Sequence, residues 1–165
     1  MPLGRGIGPS TARGMGPAGT IQAARGFLAE VKLSRFEVTS EKAFIEELDK
    51  CTEELRRAMP PGARHWGSAR KFLNIFLRGC VYNRHMCNHF KIAAVERWLE
   101  VPLDSHVAEG LRTRDGRMDL PKWRTVVGLS PEVSQIYQQA AAEIAAAQGV
   151  HRIHLDLRYW RRRGA

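Results

Sequence analysis

Acidic residues are scarce at the start of the chain. None precedes Glu30, while Arg5, Arg13 and Arg25 do. Over the 165 residues, 26 Lys and Arg face 17 Asp and Glu, a formal net charge of +9. That excess attracts polyanions such as DNA, RNA or an anionic membrane surface. Arg outweighs Lys, and its planar fork suits phosphate contacts. Long apolar runs are missing too. None approaches the roughly 18 residues of a spanning helix, which excludes an integral membrane protein of the helical type. Cysteine is sparse and odd in number, at Cys51, Cys80 and Cys87, with no secretory signal. That usage reads as reduced thiols in a cytoplasmic protein. Strand signals are also nearly absent, since only one stretch alternates at period two. What remains, at 44% hydrophobic, is enough for one compact domain with a core.

Gly and Pro run through residues 1–19 and argue against the amphipathic helix of a transit peptide. Residues 1–20 therefore read as a flexible tail that adds nothing to the core, and 21–165 as a helical domain. Thr39 or Ser40 can cap a helix led by Glu41, with Phe44, Ile45, Leu48, Cys51 and Leu55 on one stripe. Met59-Pro60-Pro61-Gly62 stops it. The next helix is expected after Gly67, burying Phe72, Leu73, Phe76 and Leu77. A further helical stretch runs from about Ile92 to Leu99, closed by Pro102. Asp104 or Ser105 then caps a short helix, and 112–119 reads as a polar loop. Ser130-Pro131-Glu132 opens an Ala-rich helix that ends near Gly149. Near the C-terminus, Ile153, Leu155, Leu157 and Tyr159 alternate with polar residues, which predicts an extended segment. No other run of that kind offers it a partner. The fold class expected is all-α: one compact helical domain with an extended C-terminal arm.

Two short stretches carry chemistry. In Gly67-Ser68-Ala69-Arg70-Lys71 a tight turn leads into an apolar helix containing Asn74. In Pro102-Leu103-Asp104-Ser105-His106-Val107 an aspartate immediately precedes a helix start. The glycine-led stretch resembles the hairpin of the helix-hairpin-helix DNA glycosylases, whose motif reads roughly Leu-Pro-Gly-Val-Gly-Arg-Lys before a helix. His65-Trp66 stands here in place of Leu-Pro, and Ala69 in place of the second glycine. The aspartate-bearing stretch is similar to that superfamily's Pro-Val-Asp-Thr-His-Val, which carries the catalytic aspartate. The two occur in the family's order, 33 positions apart, a spacing similar to the archaeal 8-oxoguanine glycosylase branch. The resemblance covers about 62–112 well and the flanks loosely. It implies a helix-hairpin-helix motif with Lys71 and Asp104 as catalytic residues. It also implies phosphate contacts from Gly67, Ser68, Ala69 and Arg70, and a base pocket that includes Asp156 and Trp160. The branch's stacking aromatic, four places after the lysine, falls on Ile75. The iron–sulfur cluster of some glycosylases is excluded, because no cysteine follows Cys87, and no other cofactor is called for.

The residue types fit this chemistry by themselves. A lysine amine can form a Schiff base at a sugar carbon, and a carboxylate can favour the positive charge that develops there. A base must leave the stack before its glycosidic bond is attacked. Each residue also has a plainer role: most lysines are solvated, and an aspartate at a helix start is by default an N-cap. Arg158, Arg161, Arg162 and Arg163 form a basic run that either is a solvated tail or follows phosphates. His85 and His89 lie one turn apart near Cys80 and Cys87, and the types suit zinc. Their spacing matches no standard structural zinc pattern, so structural or DNA-facing roles are expected and no metal. The reading is a monomeric glycosylase on DNA, without membrane contact, that excises oxidised guanine or a hypermodified phage base such as glucosylated hydroxymethylcytosine. The alternatives are a non-catalytic helical DNA- or RNA-binding module and, third, a metal-dependent nuclease.

Overall fold

A computed structural model describes residues 7–8 and 11–160, the side chain of Trp160 excepted. The described residues form helices, most of them joined by short turns and two by the longer segments 99–104 and 115–130, with no strand among them. The α-helices are α1 (Thr20–Glu30), α2 (Glu41–Ala58), α3 (Trp66–Tyr82), α4 (Arg84–His89), α5 (Ser105–Glu109), α6 (Pro131–Ala147) and α7 (Leu155–Trp160). Tighter 3-10 turns lie at Leu33–Phe36, Pro61–Ala63, Ile92–Trp98 and Arg152–His154, and a wider π turn at Gly110–Arg114 continues α5.

Local chemistry sets the boundaries. The Ser40 hydroxyl accepts from the Ala43 N–H at the start of α2, and the Ser130 hydroxyl accepts from the Val133 N–H at the start of α6. These caps satisfy N–H groups that a helix start leaves without partners. Gly149, with φ of 67°, turns the chain left-handed after α6, a conformation that costs glycine nothing. Of the α2 stripe, Phe44, Leu48, Cys51 and Leu55 are fully covered and Ile45 is half-buried.

The core falls into two apolar clusters. One joins α1, α2, α3 and the Ile92–Trp98 turn through residues such as Leu28, Phe36, Phe44, Phe72 and Leu73. The other joins α5, α6 and α7 through Val107, Leu111, Tyr137, Ala141 and Tyr159. Trp123 packs against both. An extended segment, 99–104, crosses from one cluster to the other. The Gln138 side chain of α6 accepts from the Val101 N–H at 3.0 Å and donates to its C=O at 2.8 Å. Arg152 donates to the carbonyls of Trp98 and Leu99. Buried backbone groups must be paired, and these side chains do for the segment what a neighbouring strand would do.

Four expectations change. Residues 112–114, read as the start of a polar loop, belong instead to the π turn that continues α5. The C-terminal arm is not extended: residues 152–160 are helical. Ile153, Leu155 and Tyr159 are buried as alternation predicts, but Leu157 is exposed, and Asp156 is buried beside Leu155. A helix presents positions 155, 156 and 159 on one side, which a strand cannot. The turn before Lys71 lies earlier than expected, at 59–65, and Gly67 to Arg70 are already inside α3. The N-terminal segment also contributes to the core, since Ile7 and Met15 are buried in the cluster around α1, α2 and α3. Arg25 of α1 donates twice to the Ile7 carbonyl, at 3.0 and 2.6 Å. No helix among the described residues is long and apolar enough to cross a membrane.

Candidate active site

Positions four and three residues apart share a helix face. On α3, Lys71, Ile75 and Arg78 therefore line up, and all three border a cavity of about 590 Å³. Pro102 and Asp104 border it from the crossing segment, and Asp156 from α7. Further wall comes from Thr11 and Arg13 near the N-terminus and from the loop that carries Trp123 and Arg124.

Asp104 divides its two oxygens. Oδ1 accepts from the backbone N–H groups of His106 and Val107 at 3.0 and 3.1 Å, which caps α5. Oδ2 lies 3.6 Å from the Lys71 Nζ. The plain role of a capping aspartate and a charged role toward Lys71 thus coexist in one side chain. Lys71 is only 8% exposed. Burial pushes its amine below the ordinary lysine value of 10.5, and the nearby Asp104 carboxylate opposes that shift without cancelling it. The causes are those of any buried cation near an anion. A buried lysine with a depressed value holds its free amine, the nucleophilic form, at lower pH.

Asp156 is 2% exposed. One oxygen pairs with the Arg78 guanidinium. The other, Oδ1, has no hydrogen-bond partner among the described residues. A buried polar atom without a partner is costly. This one belongs to a residue that borders the cavity. Arg78 is a site residue that the sequence did not single out. Its signal was available only as a position seven beyond Lys71 on the same helix face.

Helix α7 reaches the cavity because the π turn after α5 lets it approach. A side chain at Gly110 would put its Cβ 2.2 Å from the Tyr159 ring. The Tyr159 hydroxyl donates to Asp115 at 2.5 Å, and Arg158 pairs with the same carboxylate at 3.1 Å. These contacts hold α7 on the π turn and keep Asp156 facing Arg78.

Of the residues the sequence singled out, Lys71, Ile75, Asp104 and Asp156 are brought to one cavity. Trp160 ends α7, with its side chain outside the described residues, and Arg161 and Arg162 lie outside them altogether. Gly67, Ser68, Ala69 and Arg70 are a correction, because all four are buried. A Cβ at Gly67 would stand 2.1 Å from the Val126 carbonyl oxygen. That glycine permits a loop to dock on α3 and does not make a phosphate turn. Arg70 is consumed inside the protein: it donates to Asp49 at 2.5 Å and Thr52 at 2.7 Å, and its Nε lies 3.1 Å from Glu100. The segment is thus engaged mainly in packing and internal pairing.

Another cavity, about 300 Å³, borders Trp66, Arg70, Glu100, Gln138 and Arg152. Arg70, Glu100, Gln138 and Arg152 there already serve the fold through the contacts given above. Among the described residues no three His, Cys, Asp or Glu side chains come together as a metal site. Compared with models of known families, with curated proteins and with solved structures, the chain gives no match in any of the three.

Proposed function

We propose that the chain is a DNA glycosylase that excises a damaged or modified base, with Lys71 as nucleophile and Asp104 as its partner. The observation that carries this reading is the buried, depressed-pKa Lys71 amine 3.6 Å from the Asp104 carboxylate at the edge of an open cavity. An amine–carboxylate pair used only for stability needs no cavity, and a charge-excess surface used only for binding needs no buried amine beside one.

The step can be written from these two groups. The nucleotide leaves the stack and its base enters the cavity. As the C1′–N bond to the base lengthens, the Asp104 carboxylate stabilises the cationic sugar. The Lys71 Nζ forms a bond to C1′, the base departs with the electron pair of the broken bond, and Asp104 takes the proton the amine sheds. The proton held by Asp104 then passes to O4′ as the C1′–O4′ bond opens, which gives the protonated Schiff base and restores the carboxylate. Removal of a C2′ proton expels the 3′ phosphate, which cuts the strand. The unpartnered Asp156 Oδ1 accepts a hydrogen bond from the base, and Arg78 holds that carboxylate in place. The protein acts on DNA as a monomer in the cytoplasm.

Oxidised guanine is the first base expected. A cavity of about 590 Å³, bordered by Ile75 where the resembling branch has a ring, favours another: a hypermodified base that carries a sugar. A panel of duplexes bearing 8-oxoguanine, glucosylated hydroxymethylcytosine and other modified bases separates the two. Excision of 8-oxoguanine alone removes the sugar-bearing base from the account. Burial of the segment given the phosphate contacts weighs equally on the glycosylase reading and on its alternative, the binding module. The binding module predicts that Asp104→Asn leaves function intact, whereas the glycosylase reading predicts loss of excision.

A further inference from the structure

We propose that Trp123 is the surface on which the extruded base stacks, and that Arg124 beside it and Arg13 of the N-terminal segment hold the flanking phosphates. This inference rests on the glycosylase reading of the same cavity and names the part of the chain that binds the nucleotide.

Trp123 and Arg124 belong to the loop 121–129, which is fastened at both ends. The Tyr137 hydroxyl of α6 donates to the Pro121 carbonyl at 2.5 Å, and Arg112 donates to the Leu120 carbonyl. At the other end, the Val126 carbonyl lies against Gly67 so closely that no side chain fits there. A loop held this way presents its middle residues to the cavity with little freedom left to lose. Trp123 is half-buried, and its ring meets the Tyr137 ring at 84° with centroids 5.6 Å apart. It borders the cavity that also holds Lys71 and Asp104. Ile75 on α3 has no ring to offer, so Trp123 is the indole available to a base among the described residues of that wall. Base–aromatic stacking contributes about 1–3 kcal/mol per base.

Arg13 and Arg124 reach the same cavity from separate segments. Both are exposed, and neither has an ion pair or hydrogen bond among the described residues. The other guanidinium of this wall, Arg78, is already paired with Asp156. The Arg13 segment is placed by the buried Met15 and Ile7. It also comes close to the turn before α3, where a Cβ at Gly16 would stand 2.5 Å from that of Ala63. Two cations with no partner among the described residues, in the same wall as a ring and at the edge of a cavity with a buried amine, match a nucleotide: phosphates outside, base inside.

The test is anisotropy at several salt concentrations with two duplexes. One carries the modified base that wild type binds most tightly in the panel, and the other an abasic analogue at that position. Arg13→Ala and Arg124→Ala should each lower the slope of log K against log salt by about 0.9 on both duplexes. Trp123→Ala should weaken binding about tenfold or more on the base-bearing duplex only, with Trp123→Phe restoring most of it. A double arginine variant with the wild-type slope overturns the phosphate contacts. A folded Trp123→Ala protein with wild-type affinity for the base-bearing duplex overturns the stacking role. If Trp123→Ala does not fold, Trp123→Phe and the exposed arginines still decide. The predicted binding pattern without excision of any base would sink the glycosylase reading and leave the nucleotide wall standing. Excision that is unchanged in all the variants would do the reverse.

Discussion

Lys71 feels two opposed influences, and their balance is measurable. Burial lowers its pKa, while Asp104 raises it by charge and hydrogen bonding. Adduct formation should therefore rise with pH along a limb centred below the ordinary lysine value of 10.5. Asp104→Asn keeps a side chain able to cap α5 but removes the opposing charge. The Lys71 titration should then move further down, as followed by NMR of the reductively methylated amine. A Lys71 that titrates at the ordinary value in wild type would contradict the burial. The same shift has a stability consequence. Between the folded and the higher unfolded pKa the unfolded chain binds more protons, so stability rises with pH through that window. Lys71→Met should flatten that rise in denaturant titrations.

At the level of elements, the site depends on what fastens α5 and α7. Gly110→Ala forces the Tyr159 ring away and should cost about 1–3 kcal/mol in a urea titration. It should also lower excision by displacing Asp156. Gln138→Leu strands the Val101 N–H and C=O in the interior, at about 1–3 kcal/mol for each group left without a partner. An excision rate unchanged by either variant, in protein that remains folded, would mean that α7 and the crossing segment do not position the site. The same elements show what the sequence made legible. Ser40, Ser130 and Gly149 announce helix ends through chemistry local to a few residues, and the α2 stripe follows from period alone. Gly67 misleads because a turn glycine and a close-approach glycine are alike until the partner, Val126, is known. Residues 153–159 mislead because the alternation of Ile153, Leu155, Leu157 and Tyr159 fits a strand. Only the exposure of Leu157 and the burial of Asp156 separate the two periods. Lys71 and Asp104 were legible through their surroundings in sequence. Arg78, Trp123 and Arg13 were not, because the fold alone brings them to the cavity.

For the molecule as a whole, the two apolar clusters and the segment that crosses between them make the cavity a product of the entire fold. The N-terminal segment belongs to that arrangement. Met15→Ala should cost about 2–5 kcal/mol, as for other buried methionines truncated in cores, and a cost near zero would show that the segment does not pack as described. A net charge of +9 should make DNA binding fall steeply with salt. That property is shared by a glycosylase and by a simple binding module and separates neither. The measurement that does is borohydride trapping on duplexes carrying the modified-base panel, with wild type beside Lys71→Gln and Asp104→Asn. The expected result is a covalent protein–DNA adduct on at least one base with wild type, its loss in Lys71→Gln, and its loss or strong reduction in Asp104→Asn. An adduct that persists in Lys71→Gln, or no adduct and no abasic product on any base, would contradict it.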